Sequence, residues 1–232
     1  MDNQQSTENM DNTNQLNLEK NSDKKPDDVG GIYVQGHIKI FDPETNEIFI
    51  DKRNAIHYEN MSEAIAYSLA NKGQNYIYEI NFGNGGTSVD PTGVITYLPP
   101  NTSTQNANLY NPTYSKIVDD TAIDNLDPTR NKIEVRHVPG QVYTDILVSC
   151  LLDYGEPADQ SVFDNSQNLN DVYTFDELGL RGRSTDGSDG LTSAGPLLTH
   201  VVFHPVQKSL NRLIQVDYTV RIQTLTNLSN IT

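Results

Sequence analysis

The chain has 232 residues, which is long enough for one sizeable domain or for one domain with a tail. Its formal net charge of −15 at pH 7 argues against a nucleic-acid or membrane-surface partner, because both would repel it. Tryptophan is absent and tyrosine outnumbers phenylalanine 12 to 6, so the core must rest on Ile, Leu, Val and Tyr.

The single cysteine, Cys150, lies in the apolar run 144–152 and has no partner for an intrachain disulfide. We interpret it as a small buried hydrophobe with a reduced thiol. No apolar run approaches the roughly 20 residues that span a bilayer. The N-terminus also lacks the basic-then-apolar layout of a secretory signal. These features are typical of a protein made in a cytoplasm.

Residues 1–29 form a polar N-terminal arm without aromatic residues. In isolation such a segment is expected to be disordered, because it cannot bury enough apolar surface to offset its ordering entropy. It is either a free tail or an arm that becomes ordered against a neighbouring subunit. Residues 30–232 are predicted to form a single β-rich domain with long loops at 87–114 and 155–171. A loop as long as the first of these is usually functional or partner-bound.

The first elements of this domain are a hairpin and a helix. Residues 32–51 read as two strands around the turn Asp42-Pro-Glu-Thr-Asn46, with Asn46 suited to the left-handed conformation. A helix is predicted at about 60–72, with Asn60 as its N-cap and Gly73 just beyond its end. It is the only strongly indicated helix.

The remaining pattern is strand and loop. A strand at 76–82 runs into Gly83-Asn-Gly-Gly86, and a hairpin is predicted around Pro139-Gly140. Three more strands are predicted, and the last of them alternates strictly between apolar and polar residues: 173–180, 197–203 and 213–222. The sequence therefore predicts a mainly β fold, an antiparallel β-sandwich or jelly-roll-like domain with one short helix.

Several groups in the sequence are candidate sites of chemistry. Gly83–Gly86 lacks the Lys-Ser/Thr ending of a phosphate-binding loop, so a tight turn is favoured. His200 and His204 have a spacing that suits a metal but lack a third ligand, and exposed-face histidines are favoured. The acidic segments 119–127 and 186–190 do not match the calcium-loop register and are interpreted as solvated turns.

Catalytic patterns are equally weak. Ser149 and Ser209 have no context that marks a nucleophile. Glu177 is flanked by apolar residues, so a perturbed pKa is conceivable there, but pairing with Lys208 or Arg221 would serve structure equally well. We favour the structural role for Glu177. No catalytic, cofactor-binding or metal-binding residue is predicted, and no cofactor is expected.

The order of these elements resembles structural proteins of tailed-bacteriophage virions, of the tail-accessory, baseplate or fibre-attachment type. The resemblance rests on the strand that ends in Phe82-Gly-Asn-Gly-Gly-Thr87, on the Glu177-Leu-Gly-Leu180 element, on the Leu197-Leu198 strand start, and on Lys208 before the last strand. It covers roughly residues 32–223. Pro196 in the strand start and the insert 181–194 depart from the usual pattern.

This resemblance implies a non-enzymatic virion component, made in the host bacterial cytoplasm, that oligomerises in the tail, baseplate or neck. Its expected partners are other copies of itself and other virion structural proteins, through the arm 1–29 and the loop 87–114, with neither nucleic acid nor membrane. A capsid decoration or head-fibre protein remains an alternative. A carbohydrate-binding β-sandwich is an alternative of another class, with three tyrosines as its platform: Tyr97, Tyr110 and Tyr114.

Overall fold

The computed structural model describes residues 30–72, 75–157, 172–183 and 195–226. Within these residues the chain forms eleven strands and one helix. The strands are β1 (Gly30–Phe41), β2 (Ile48–Ile56), β3 (Ile77–Gly83), β4 (Thr87–Val89), β5 (Ile95–Tyr97), β6 (Pro112–Ile117), β7 (Lys132–His137), β8 (Tyr143–Leu152), β9 (Val172–Gly182), β10 (Thr199–Ser209) and β11 (Ile214–Thr226), and the helix is α1 (Tyr58–Leu69).

Nine strands form one antiparallel sheet in the order β6-β3-β9-β10-β2-β1-β11-β8-β7, while β4 and β5 form a separate ribbon. The large sheet is strongly curled into a half-barrel. Buried apolar residues from β1, β2, β3, β8, β9, β10 and β11 make its core. The prediction of a mainly β, antiparallel fold with one short helix is confirmed. The nine strands belong to one curled sheet.

The site described below belongs to the larger of two compact units, residues 33–223. Of the smaller unit the structure describes residues 30–32 and 224–226. The predicted arm 1–29 lies outside the described residues, as does most of the predicted loop 155–171. In the part of the chain that the structure covers, no helix is long and apolar enough to cross a membrane.

Both predicted hairpins are present. β1 pairs with β2, and Asp42 Oδ1 accepts hydrogen bonds from the backbone N–H groups of Glu44 and Thr45 in the turn between them. Asn46 has a φ of 62°, the left-handed conformation expected of it. β7 pairs with β8 around Gly140, whose φ is 87°. The turn residues of the sequence therefore predict both hairpins correctly.

The helix begins earlier than predicted. Its N-cap is His57, whose Nδ1 accepts the backbone N–H of Asn60, so the prediction of Asn60 as the cap is wrong. The Asn60 side chain is buried instead, and its amide donates to the backbone carbonyls of Gln105 and Leu197. A residue with two long-range carbonyl partners is not free to cap its own helix. The predicted C-terminal Gly73 lies outside the described residues.

The predicted loop 87–114 contains more regular structure than its composition indicates. β4 and β5 pair within it, and its last three residues belong to β6, which pairs with β3. β6 begins with Pro112, a position in a strand where the missing N–H is tolerated. Its alternation is weak because most of its residues are polar and only half-buried, so the sequence pattern did not reveal it.

Candidate functional site

An irregularity in the pairing of β9 with β10 places two acidic residues side by side over the loop that follows β3. Phe175 and Leu178 are both fully buried in the core, although a regular strand would turn residues three apart to opposite faces. The register against β10 also shifts: the four steps from Val202 to Val206 oppose only two steps of β9, from Glu177 to Phe175, so the extra residues of the pairing lie in β10. The extra residues of such a bulge re-aim side chains, and here Asp176 and Glu177 both contact the glycine-rich segment after β3.

Asp176 binds the end of this segment through both carboxylate oxygens. Its Oδ1 accepts the backbone N–H of Gly86 at 2.9 Å, and its Oδ2 accepts the backbone N–H of Thr87 at 2.9 Å. The Thr87 hydroxyl also donates to Oδ2. Asp176 is only 4% exposed. A buried carboxylate needs such donors, because an unpaired charge there would be costly.

Glu177 is fully buried and accepts four hydrogen bonds. Its Oε1 accepts the backbone N–H groups of Gly85 at 3.1 Å and Asn111 at 2.8 Å. Its Oε2 accepts the backbone N–H of Tyr110 at 2.9 Å and the Nε2 of His200 at 3.0 Å. A carboxylate has about four acceptor positions, so none is left for a substrate proton.

The electrostatics of Glu177 agree with this saturation. Burial raises its pKa, but the hydrogen bond from His200 and the three backbone N–H donors outweigh burial and hold the pKa below its ordinary value. The group is therefore a stable carboxylate at neutral pH, with no tendency to act as a general acid.

His200 is also fully buried, so the expectation of an exposed histidine is wrong. Its Nδ1 accepts the backbone N–H of Asn101 at 2.7 Å, so this nitrogen carries no proton. The proton lies on Nε2, which donates to Glu177. The ring of Tyr110 lies 5.6 Å from the imidazole ring. His204 is exposed and lies within the irregular stretch of β10 between Val202 and Val206, whereas His200 is buried, so the two histidines do not share a face.

The residues around the start of α1 hold the same loop at its middle. His57, fully buried, donates from Nε2 to the carbonyl of Thr104 at 2.6 Å, while its Nδ1 serves the helix cap. The Asn60 amide binds the carbonyl of Gln105 at 3.2 Å. His57 thus adopts the same tautomer as His200, set in the same way by a backbone N–H.

We call residues 84–111 the anchored loop. Buried side chains from α1, β9 and β10 hold its backbone at its beginning, middle and end. Arg181 adds a contact from β9 to the Asn108 side-chain oxygen at 2.8 Å. The outward side of the loop carries five large apolar side chains that are 40–63% exposed: Val89, Val94, Tyr97, Leu98 and Tyr110.

The glycines at the start of the loop are required by close approach. A Cβ added at Gly83 would lie 2.5 Å from Glu177 Oε1 and 2.7 Å from the carbonyl oxygen of Asn111. A Cβ at Gly86 would lie 2.8 Å from a methyl carbon of Val202. The segment directs successive N–H groups at anions, as phosphate-binding loops do. Here the anions are the carboxylates of Asp176 and Glu177.

The other residues considered in the sequence have structural partners or lie apart. Glu177 pairs with neither Lys208 nor Arg221, contrary to the suggested pairing. Lys208 is fully buried and donates to the carbonyl of Ser209 at 2.8 Å. Arg221 makes a two-point contact with Asp145, at 2.7 and 2.8 Å.

The calcium alternative finds no support in the described residues, where no group of three or more His, Cys, Asp or Glu side chains is arranged to hold a metal. Asp119 Oδ1 accepts from Thr121, and Asp127 contacts Thr129 and Arg130. The segment 186–190 lies outside the described residues. Cys150 is fully buried, as predicted, and burial raises its pKa to about 12.

A groove of 480 Å³ borders the anchored loop where β2 and β10 separate. Their pairing is limited to Thr199 with Ile56 and His200 with Ala55. Beyond these two residue pairs, the side-chain amine of Lys52 donates to the carbonyl of Val202 at 2.8 Å, where a paired strand would supply a backbone N–H. Tyr97, Leu98 and Pro100 line the same groove from the loop side.

Glu177 and His200 stand out in the sequence, whereas Asp176, His57 and Asn60 do not stand out there as anchors. The sequence offered two separate patterns, consecutive acids at 176–177 and a glycine-rich segment at 83–86, whose carboxylates and N–H groups are complementary but lie 90 or more residues apart. No comparable signal marks His57 or Asn60, whose loop partners are backbone carbonyls more than forty residues away. No protein-family model, curated protein or solved structure matches this chain.

Proposed function

We propose that this chain is a non-enzymatic structural component of a tailed-phage virion, oligomerising in the tail, baseplate or neck. The observation that carries the proposal is the anchored loop, a long segment whose backbone is fixed from beneath while its outer side carries five exposed apolar side chains. The order of motifs that resembles virion proteins supports the same function.

A fixed loop suits permanent assembly. Binding through a flexible loop would cost ordering entropy, whereas a preorganised one has already lost that freedom on folding. Exposed apolar side chains grouped on one segment favour a protein partner over solvent. The net charge of −15 keeps the free subunit soluble before assembly. The anchored loop and the arm 1–29 would then contact neighbouring virion proteins or other copies of the chain.

The polar cluster beneath the loop supports a structural role over a catalytic one. An acid–histidine pair in a cleft is a common catalytic device. In Glu177–His200, however, the carboxylate accepts four hydrogen bonds and His200 Nδ1 already accepts a backbone N–H. The acceptor positions of Glu177 and His200 are therefore occupied by the contacts that hold the loop.

A lysate that contains this chain tests the proposal. In a density gradient the chain should sediment with DNA-filled tailed particles, and immunogold electron microscopy should locate it at the tail, baseplate or neck. Detection in the soluble fraction alone would overturn the proposal. Labelling of the capsid would instead favour the decoration or head-fibre alternative.

The exposed rings of Tyr97 and Tyr110 favour a second candidate, carbohydrate binding, since aromatic faces stack on sugars. The hydroxyl of Tyr97 lies 3.3 Å from His204 Nδ1, and that of Tyr110 donates to the carbonyl of Pro99 at 2.6 Å, so both rings are held in place. Tyr114 is half-buried against Phe82 and does not join them. Saturable quenching of tyrosine fluorescence by an oligosaccharide, lost in Tyr97→Ala, would support this candidate.

A further inference from the structure

β7 is the last strand at one edge of the nine-stranded sheet and pairs with β8 alone. In the described part of the chain no strand covers its outer edge. Val135, at its centre, is 70% exposed. Unpaired strand edges are templates for another strand, and proteins normally protect them with charges that repel a second copy.

The side chains of β7 divide into two faces. Ile133, Val135 and His137 lie on the core-side face of the sheet, because Ile133 packs against the core and residues two apart in a strand share a face. Lys132, Glu134 and Arg136 lie on the opposite face. On this charged face the Glu134 carboxylate contacts the Lys132 amine at 2.6 Å and the Arg136 guanidinium at 3.0 Å.

The order of these charges selects one register for self-pairing. In a two-fold antiparallel pair, directly opposite residues lie on the same face of the sheet. A two-fold axis at Val135 places Glu134 opposite Arg136 of the partner subunit, twice. An axis at Glu134 would instead oppose Glu134 to its own copy and Lys132 to Arg136 of the partner subunit. An axis at Arg136 would oppose two arginines.

We propose that two copies of the chain pair edge to edge through antiparallel β7 strands, with the two-fold axis at Val135. The two nine-stranded sheets then join across the axis, and Val135 packs against Val135 of the partner subunit. This contact deepens the proposed function, which expects contacts between copies without saying where they lie. The β7 edge supplies one closed, isologous contact and leaves the anchored loop free for other neighbours.

A charge-reversal experiment tests the register. Glu134→Arg alone places two arginines opposite two arginines across the axis, and Arg136→Glu alone places glutamates opposite glutamates. The homodimer of each single variant should therefore be weakened, and its dissociation constant should rise about tenfold or more above that of the full-length parent. An equimolar mixture should form heterodimers, because every cross-axis pair then joins opposite charges. Native mass spectrometry of the mixture, with one variant isotope-labelled, measures this.

A cysteine at the axis tests the geometry. Cβ atoms of directly opposite residues lie roughly 5 Å apart, within reach of a disulfide after a small shift. Val135→Cys should therefore form a disulfide-linked dimer under mild oxidation. Val138→Cys, in the turn beyond β7 at a residue that is also exposed (57%), is the matched control and should stay monomeric on a non-reducing gel. The native Cys150 is buried and does not interfere.

The proposal is overturned if the parent chain is monomeric at all concentrations, if the mixed charge variants form no heterodimer, or if Val138→Cys crosslinks as well as Val135→Cys. Circular dichroism of each variant establishes that it remains folded. Virion incorporation is scored separately. Loss of β7 pairing with the chain still in particles refutes this contact alone, whereas an intact dimer absent from all particles refutes the proposed function.

Discussion

Replacing Glu177 by glutamine should release the anchored loop. The change is nearly isosteric, but it converts one carboxylate oxygen into an NH₂ group. Whichever way the amide turns, that NH₂ faces two donors: the N–H groups of Gly85 and Asn111 on one side, or those of Tyr110 and His200 on the other. Two hydrogen bonds are lost and their buried donors are left unpaired.

The cost follows from the charge on the acceptor. A hydrogen bond to a charged group contributes about 1.5–3 kcal/mol, so two lost bonds amount to about 3–6 kcal/mol. A whole domain is stable by only about 5–15 kcal/mol. We therefore expect a large drop in the free energy of unfolding in urea, together with faster hydrogen exchange at the amides of Gly85, Tyr110 and Asn111.

Asp120→Asn is the matched control, because Asp120 is exposed and the chemical change is the same. Its stability should stay within about 0.5 kcal/mol of the parent. The reasoning fails if Glu177→Gln loses less than about 1 kcal/mol and keeps the parent's exchange protection at the three amides. The pKa of Glu177 lies below its ordinary 4.5, so its contribution is present above that pH and is lost as pH falls through the lowered value. The two proteins should therefore converge in stability in acid.

Three further measurements test the burial of Lys208 and Cys150 and the close approach at Gly83. Burial lowers the pKa of Lys208 from 10.5 to about 8, so the unfolded chain binds a proton there that the folded chain lacks between these values. Its contribution should therefore raise urea stability by about 2 kcal/mol from pH 8 to 9.5, and Lys208→Met should abolish that rise; an equal rise in the variant would contradict this. Gly83→Ala should cost about 1–3 kcal/mol in thermal unfolding because its Cβ overlaps Glu177. Gly30→Ala, whose Cβ meets no heavy atom closer than 3.9 Å, should cost much less, and equal losses would refute the close-approach argument. Cys150, fully buried with a pKa of about 12, should resist a thiol reagent at pH 8 until urea unfolds the chain; labelling of native protein would show that the core opens more readily than its packing implies.

Periodicity and turn chemistry predicted the parts of the fold that local sequence determines. The strict alternation of 213–222 gave β11, in which Ile214, Val216, Tyr218 and Val220 are all buried. The turn residues Asn46 and Gly140 adopt the positive φ that their types favour. In each case the determining residues lie within a few positions of the structure that they specify.

The remaining features depend on contacts that the local pattern does not encode. The apolar alternation of β9 changes phase at Asp176–Glu177, from Tyr173 and Phe175 to Leu178 and Leu180, but this local pattern does not reveal what the two acids contact. The partners of Glu177 come from residues 85, 110, 111 and 200. For the same reason His200 was expected on an exposed face. Its burial depends on the loop that covers it, which was itself predicted without an anchor.

The anchors of the loop bind almost entirely to main-chain atoms. Asp176, Glu177 and His200 accept from backbone N–H groups, and His57 and Asn60 donate to backbone carbonyls. Such contacts specify the path of the loop while leaving most of its side-chain identities unconstrained, the glycines excepted. Substitutions on its outer side should therefore change what the loop recognises without changing where it lies. The same anchored backbone therefore permits different exposed side chains, and so different binding specificities, at one position on the fold.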